Sequence, residues 1–163
     1  MADLKEFEQK AADLRVLGMK ISIGQDTVYE KYWDEDCRRN IYSASKSFTS
    51  CAVGFAVQEG LIDLDERLMD AFKEDIPNNP DENLKKATVK DLLTMTLGQE
   101  KGFLMGKQRP RMEEQNWVKA SLAIPFVYEP GTHFVYNNVG PYLAGILVQR
   151  RAGCDLLSYL TPR

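Results

Sequence analysis

The chain of 163 residues has one histidine, His133, and three cysteines, Cys37, Cys51 and Cys154. The cysteines are odd in number and scattered, with no C-x-x-C arrangement, which argues against a disulfide framework and for reduced thiols in a cytoplasmic protein. Without a His/Cys cluster, neither a metal centre nor any other cofactor is expected. No apolar run approaches the ~18 residues needed to span a bilayer. The start, Met1 to Glu8, is charged and helical in pattern, unlike a secretory signal. An excess of positive charge is also missing: 21 Lys and Arg stand against 24 Asp and Glu, for a net charge of −3. That removes the electrostatic footprint of nucleic-acid binding. Basic residues do gather between Lys101 and Arg111, but Glu113 and Glu114 follow, and the segment reads as a solvated loop. Gly-x-Ser-x-Gly, the strand-to-helix elbow of one large class of serine hydrolases, is absent as well.

What is present is an ordinary globular composition, 44% hydrophobic and 28% charged, in a chain long enough to bury a real core. Leu4, Phe7, Ala11 and Leu14 recur at helical spacing, predicting a helix over residues 3 to 14. Met19, Ile21 and Ile23 alternate with polar residues, Gly24-Gln25-Asp26 is a turn signal, and 27–33 is rich in β-branched and aromatic residues, so an antiparallel hairpin follows. Everything later reads as helix and loop. Helices are expected from about Ser43 to Gln58, closed by Gly60, and over Val89 to Thr94, capped by Thr88. Others are expected over residues 111 to 122, from about Asn138 to Arg151 with Tyr142, Leu143, Ile146 and Leu147 inward, and from Leu156 to Leu160, capped by Asp155. Cys51 lies in the apolar run of the Ser43 helix and is expected to be a small buried residue.

Two short patterns carry chemistry. Ser43-Ala44-Ser45-Lys46 is Ser-x-x-Lys at a helix start, where residues i and i+3 share a side and an amine can reach the hydroxyl. Serine is a poor nucleophile until a base takes its proton, and lysine can serve in place of histidine. The bland alternative is a capping serine beside a solvated lysine. Tyr136-Asn137-Asn138 is Tyr-x-Asn. A phenol near positive charge can act as general acid or base, and an asparagine amide can hold a substrate amide. Its bland alternative is a core tyrosine followed by a capping asparagine.

Taken together, these stretches resemble the serine β-lactamase and penicillin-binding-protein-like family, on the branch of class C β-lactamases, DD-peptidases and related esterases. The likeness rests, in order, on Ser43-Ala44-Ser45-Lys46, Gly60-Leu61-Ile62-Asp63-Leu64-Asp65, Leu92-Leu93-Thr94-Met95-Thr96-Leu97-Gly98, and Pro130-Gly131-Thr132 leading into Tyr136-Asn137-Asn138. It implies Ser43 as the acylated nucleophile, Lys46 and Tyr136 as a coupled proton-transfer pair, and Asn138 as the group that holds the Lys46 amine and the substrate. The backbone N–H of Ser43 would be half of an oxyanion hole. The substrate would be a small or peptide-like ester, amide or β-lactam.

Departures from the family pattern are as informative. No Lys-Thr-Gly or His-x-Gly occurs, and the strands that would complete the sheet beside residues 16 to 33 are missing. Met95 and Leu97 stand where the family often has His and Ser. The resemblance therefore implies an α+β, β-lactamase/transpeptidase-like domain that is truncated. Residues 1–163 would be an incomplete domain, with helix and hairpin in 1–35 and a helical part in 36–163. Weak or no activity is expected of this chain alone. The alternative is a non-catalytic binding or scaffold module derived from the family. A Ser-His-Asp site through His133 is disfavoured, because His133 sits in a Pro-Gly loop beside Tyr136. The unpaired edges of an incomplete sheet predict self-association.

Overall fold

A computed structural model describes residues 4–35 and 37–163. Asp3, which the periodicity places at the start of the first helix, lies outside the described residues. The chain divides into two compact units, with the division between Ile41 and Tyr42.

The first unit is a helix and a hairpin, as the patterning predicts. Helix α1 (Lys5–Asp13) buries Ala11. Strands β1 (Gly18–Ile23) and β2 (Asp26–Tyr32) pair antiparallel through the two-residue loop Gly24-Gln25, with Gly24 at φ 62. A positive φ at such a loop suits glycine, which has no Cβ to clash. The register runs from Ile21↔Tyr29 to Ser22↔Thr27, so Val28 is an extra residue on β2, a bulge that leaves it exposed. Met19, Ile21, Tyr29 and Lys31 are half-buried, whereas Ile23 at the turn is exposed, so the predicted apolar alternation holds only along the body of β1. Glu8 of α1 accepts a hydrogen bond from Tyr29 at 2.6 Å and an ion-paired one from Lys31. Desolvation and the neighbouring Glu8 carboxylate push the Tyr29 phenol up to about 12.

The second unit holds the predicted helices around one hydrophobic core, together with two further short ones. They are α2 (Ser45–Gln58), α3 (Leu68–Ala71), α4 (Glu82–Lys86), α5 (Val89–Thr94), α6 (Trp117–Leu122), α7 (Val139–Ala152) and α8 (Leu156–Leu160). Helix α7 packs against both α2 and α5. Being covered on two sides, it buries Val139, Gly140, Leu143, Ala144, Gly145, Leu147 and Val148, whereas Tyr142 and Ile146, expected inward with Leu143 and Leu147, are only half-buried. Small residues let the helices approach: a Cβ on Gly145 would lie 3.7 Å from the Thr49 methyl on α2. From α2 come Ala52, Val53 and Ala56, and from α5 Val89 and Leu92.

The local signals for helix ends hold closely. Thr88 and Asp91 form a reciprocal cap in which the Thr88 N–H donates to Asp91 Oδ2 at 2.9 Å. Asp155 Oδ1 accepts the Ser158 N–H at 3.0 Å. Gly60 and Gly153 take φ 73 and φ 69 just past α2 and α7.

Two expectations are corrected. Cys51 is exposed, because the buried stripe of α2 is Ala52, Val53 and Ala56 and Cys51 turns away from it. The helix expected over 111 to 122 starts only at Trp117, since the Asn116 side chain accepts from the Val118 and Lys119 N–H groups and fixes the boundary there. Among the described residues, no helix is long and apolar enough to cross a membrane.

Candidate active site

Ser43 lies in a 3₁₀ turn, Tyr42–Ala44, that feeds α2, so the α-helix proper begins two residues after the expected start. In a 3₁₀ turn residues i and i+3 are also neighbours, so the Ser43–Lys46 relation survives. Tyr42, immediately before the serine, has φ 46. A left-handed conformation costs a residue with a side chain roughly 1–2 kcal/mol. Here it sits at the point where the chain turns into the helix.

The Lys46 Nζ donates to Ser43 Oγ at 3.1 Å. On its other side, Ser43 Oγ lies 2.6 Å from the Tyr136 hydroxyl. The Lys46 ammonium is also 5.3 Å from the centre of the Tyr136 ring. Three groups expected to act together are therefore in mutual contact, although 93 residues separate Ser43 from Tyr136. Ser43 is not spent on capping α2; among the described hydrogen bonds its hydroxyl meets Lys46 and Tyr136. The Tyr136 phenol is held below its ordinary value of 10, first by the Ser43 hydrogen bond and then by Lys46, with burial opposing. Tyr136 is 44% exposed, so the cluster opens to solvent and a substrate can reach it.

The segment carrying Tyr136 is held by its backbone. The Val135 N–H donates to the Met95 carbonyl at 3.0 Å, and the Asn138 N–H donates to the Phe103 carbonyl at 3.2 Å. Met95 closes α5 at φ 57, in the left-handed region. Capping of α7 falls to Asn137, whose Oδ1 accepts the Gly140 N–H at 3.1 Å. Asn138 is thereby left for other work. Its Nδ2 donates to the Leu104 carbonyl at 3.0 Å and approaches the Met105 sulfur at 3.6 Å. No described hydrogen bond joins it to Lys46.

His133 stands apart from this arrangement. Its ring stacks on Tyr128 with centroids 4.2 Å apart, and its Nδ1 is 2.8 Å from Thr132 Oγ1. Reading the sequence missed Gly102, Leu104 and Met105, which touch the Tyr136–Asn138 segment. Phe103-Leu104-Met105, an apolar run between two glycines in an otherwise basic loop, was the available signal.

A serine, an amine and a phenol in contact at a helix start are the parts of a serine-hydrolase-like protein. The Beta-lactamase family model matches residues 5–163, and the chain belongs to that family. It is similar to the monacolin J acid methylbutanoyltransferase of Aspergillus terreus, with 31% identity over 147 residues, 78% of this chain and 35% of the relative. Among solved structures it is similar to the octameric penicillin-binding protein homologue from Pyrococcus abyssi, with TM-score 0.73, 23% identity, and coverage of 99% of this chain and 42% of that one. It is likewise similar to a class C β-lactamase, with TM-score 0.74, 17% identity, and coverage of 96% and 45%. The fold is thus the expected β-lactamase/transpeptidase type. The chain spans about a third of the curated relative's length and under half of either structure's.

Proposed function

We propose that Ser43 is the nucleophile of an acyl-enzyme mechanism on an ester, amide or β-lactam carbonyl, with Lys46 and Tyr136 as the coupled proton-transfer pair. The observation that supports it most is the Ser43 hydroxyl held 3.1 Å from Lys46 Nζ and 2.6 Å from Tyr136 Oη. As Oγ attacks the carbonyl carbon, its proton passes to the pair. When the tetrahedral species collapses, the bond to the leaving group breaks and Tyr136 returns the proton to it. Water or an acceptor alcohol then releases the acyl group; the transferase named among the relatives is a precedent for the second outcome. Asn138 Oδ1 is the group left to accept from a substrate amide, since its Nδ2 is engaged. The Ser43 N–H supplies one oxyanion donor. The motif that would supply the other, Lys-Thr-Gly or His-x-Gly, does not occur in the 163 residues, so low activity is expected of this chain alone.

A fluorophosphonate probe tests the reading. The chain should label covalently, and Ser43→Ala should abolish it. Labelling that persists in Ser43→Ala, or none in the parent, would sink the nucleophile assignment and favour a binding or scaffold module that has lost the third motif.

Self-association belongs to the same reading. Strands β1 and β2 pair only with each other among the described residues, leaving two free edges. Light scattering at tens of micromolar should show dimers or larger species, and a monodisperse monomer would count against it.

A further inference from the structure

We infer that the segment Gly102–Met105 is a brace that sets the position of the Tyr136 hydroxyl, with Gly102 as a positioning residue for proton transfer. The inference rests on the acyl-enzyme reading of Ser43. It comes from three contacts on one side of the Tyr136–Asn138 segment. The Phe103 carbonyl accepts the Asn138 N–H at 3.2 Å. The Leu104 carbonyl accepts Asn138 Nδ2 at 3.0 Å. Gly102 packs so closely beneath Tyr136 that a Cβ there would stand 2.7 Å from the Tyr136 carbonyl oxygen. Contacts that short do not occur in relaxed structures, and the atom that must yield is backbone, not the end of a flexible side chain.

The brace is itself stiff. Leu104 is 2% exposed and takes φ 56, so a leucine is held left-handed with its side chain in the core and its carbonyl on Asn138. Such conformations persist only where the surroundings over-determine them, and they cluster at functional sites. The Gln108 side chain secures the other end, with Oε1 accepting the Met105 N–H at 2.9 Å. Tyr136 is thus set from behind while its hydroxyl, 2.6 Å from Ser43 Oγ, works in front. A shift of the backbone at residue 136 would disturb that contact.

Gly102→Ala adds one methyl group at a position without positive φ, so its effect is the clash with Tyr136 and not a forbidden backbone. A displacement near 1 Å costs about a hundredfold in rate when the moved group takes part in the chemistry. Gly106→Ala is the control: it makes the same change in the same loop, where a Cβ meets only the Arg109 side chain at 3.8 Å.

Fluorophosphonate labelling of the full chain is followed against pH for both variants, alongside thermal melts. Gly102→Ala should label about a hundredfold more slowly, with its pH midpoint raised because Tyr136 has moved from Ser43 and Lys46. Gly106→Ala should match the parent in both. A folded Gly102→Ala with the parent's rate and midpoint overturns the inference. If that variant does not fold, Gln108→Ala loosens the brace without adding an atom. It should then slow labelling and raise the midpoint, and parental behaviour overturns the inference. If the parent itself does not label, the acyl-enzyme reading fails on its own. An NMR titration of isotope-labelled tyrosine, assigned with Tyr136→Phe, then decides the brace. A Tyr136 pKa that is higher in Gly102→Ala than in the parent supports it, and equal values overturn it.

Discussion

Replacing Lys46 with methionine should slow acylation of Ser43 by about a thousandfold and move the pH midpoint of labelling upward. The ammonium does two things at once. It donates to Ser43 Oγ at 3.1 Å, and it contributes to holding the Tyr136 phenol below 10. A phenol with a lowered pKa exists as phenolate at lower pH than usual, so the reactive form of the cluster gains population as pH rises through that lowered value. Methionine fills similar space without charge, so the midpoint should return towards ordinary tyrosine, and activity at neutral pH should fall by more than activity at pH 10. Tyr136→Phe makes the complementary test: it keeps the ring beneath Lys46 and removes the hydroxyl, so the tyrosine-linked midpoint should vanish altogether. Time courses of labelling between pH 6 and about 10.5 give both rate and midpoint. A Lys46→Met protein with the parent's rate and midpoint would remove Lys46 from the chemistry.

How far the sequence carries this picture depends on the range of the interaction. Asp155 and Ser158, or Thr88 and Asp91, are neighbours within one turn, and the capping preference of those residue types is strong enough to place helix ends. Ser43 and Lys46 are likewise local. Tyr136 against Ser43 is not: nothing in either segment's periodicity encodes a contact across 93 residues, and only the resemblance to a known family put them together. The tie of Arg150 to Asp75, 2.7 Å across 75 residues, had no such support and was not foreseen. Cys51 shows a different failure. An apolar run such as Cys51-Ala52-Val53-Gly54-Phe55 has no clear polar side, so helical periodicity could not say which side turned inward; the packing of α2 against α7 selected Ala52, Val53 and Ala56. At Leu104 the obstacle is the rule itself, since leucine is a poor indicator of left-handed backbone and only tertiary contacts hold it there. Asn137 and Asn138 were ambiguous because either could cap a helix; in the structure Asn137 Oδ1 accepts the Gly140 N–H at the start of α7, and Asn138 Nδ2 donates to the Leu104 carbonyl.

Gly140→Ala should destabilise the second unit by about 3 kcal/mol or more, the upper range for forcing an atom into a filled core. In an isolated helix the same change stabilises by nearly 1 kcal/mol, because alanine has less backbone entropy to lose. Packing reverses the sign. Gly140 is in the first turn of α7, and a Cβ there would lie 2.2 Å from the Leu92 carbonyl oxygen and 3.1 Å from the Leu92 carbonyl carbon. Both obstacles are α5 backbone, so no rotamer change relieves them and α7 must shift away from α5. That separates Leu92, Val139 and Leu143, each at 0% exposure in the core. At roughly 2–4 °C per kcal/mol for a protein of this size, the melting temperature should fall by about 10 °C. Gly54→Ala sharpens the comparison. It is the same substitution inside α2, where a Cβ meets nothing within 4 Å, so it should raise the melting temperature slightly. Two glycine-to-alanine changes in two helices of equal length, 14 residues each, are thus expected to act in opposite directions. Should Gly140→Ala melt with or above the parent, the close contact of α7 on α5 cannot be what holds that end of α7, and with it the Asn137 cap and the segment leading back to Tyr136.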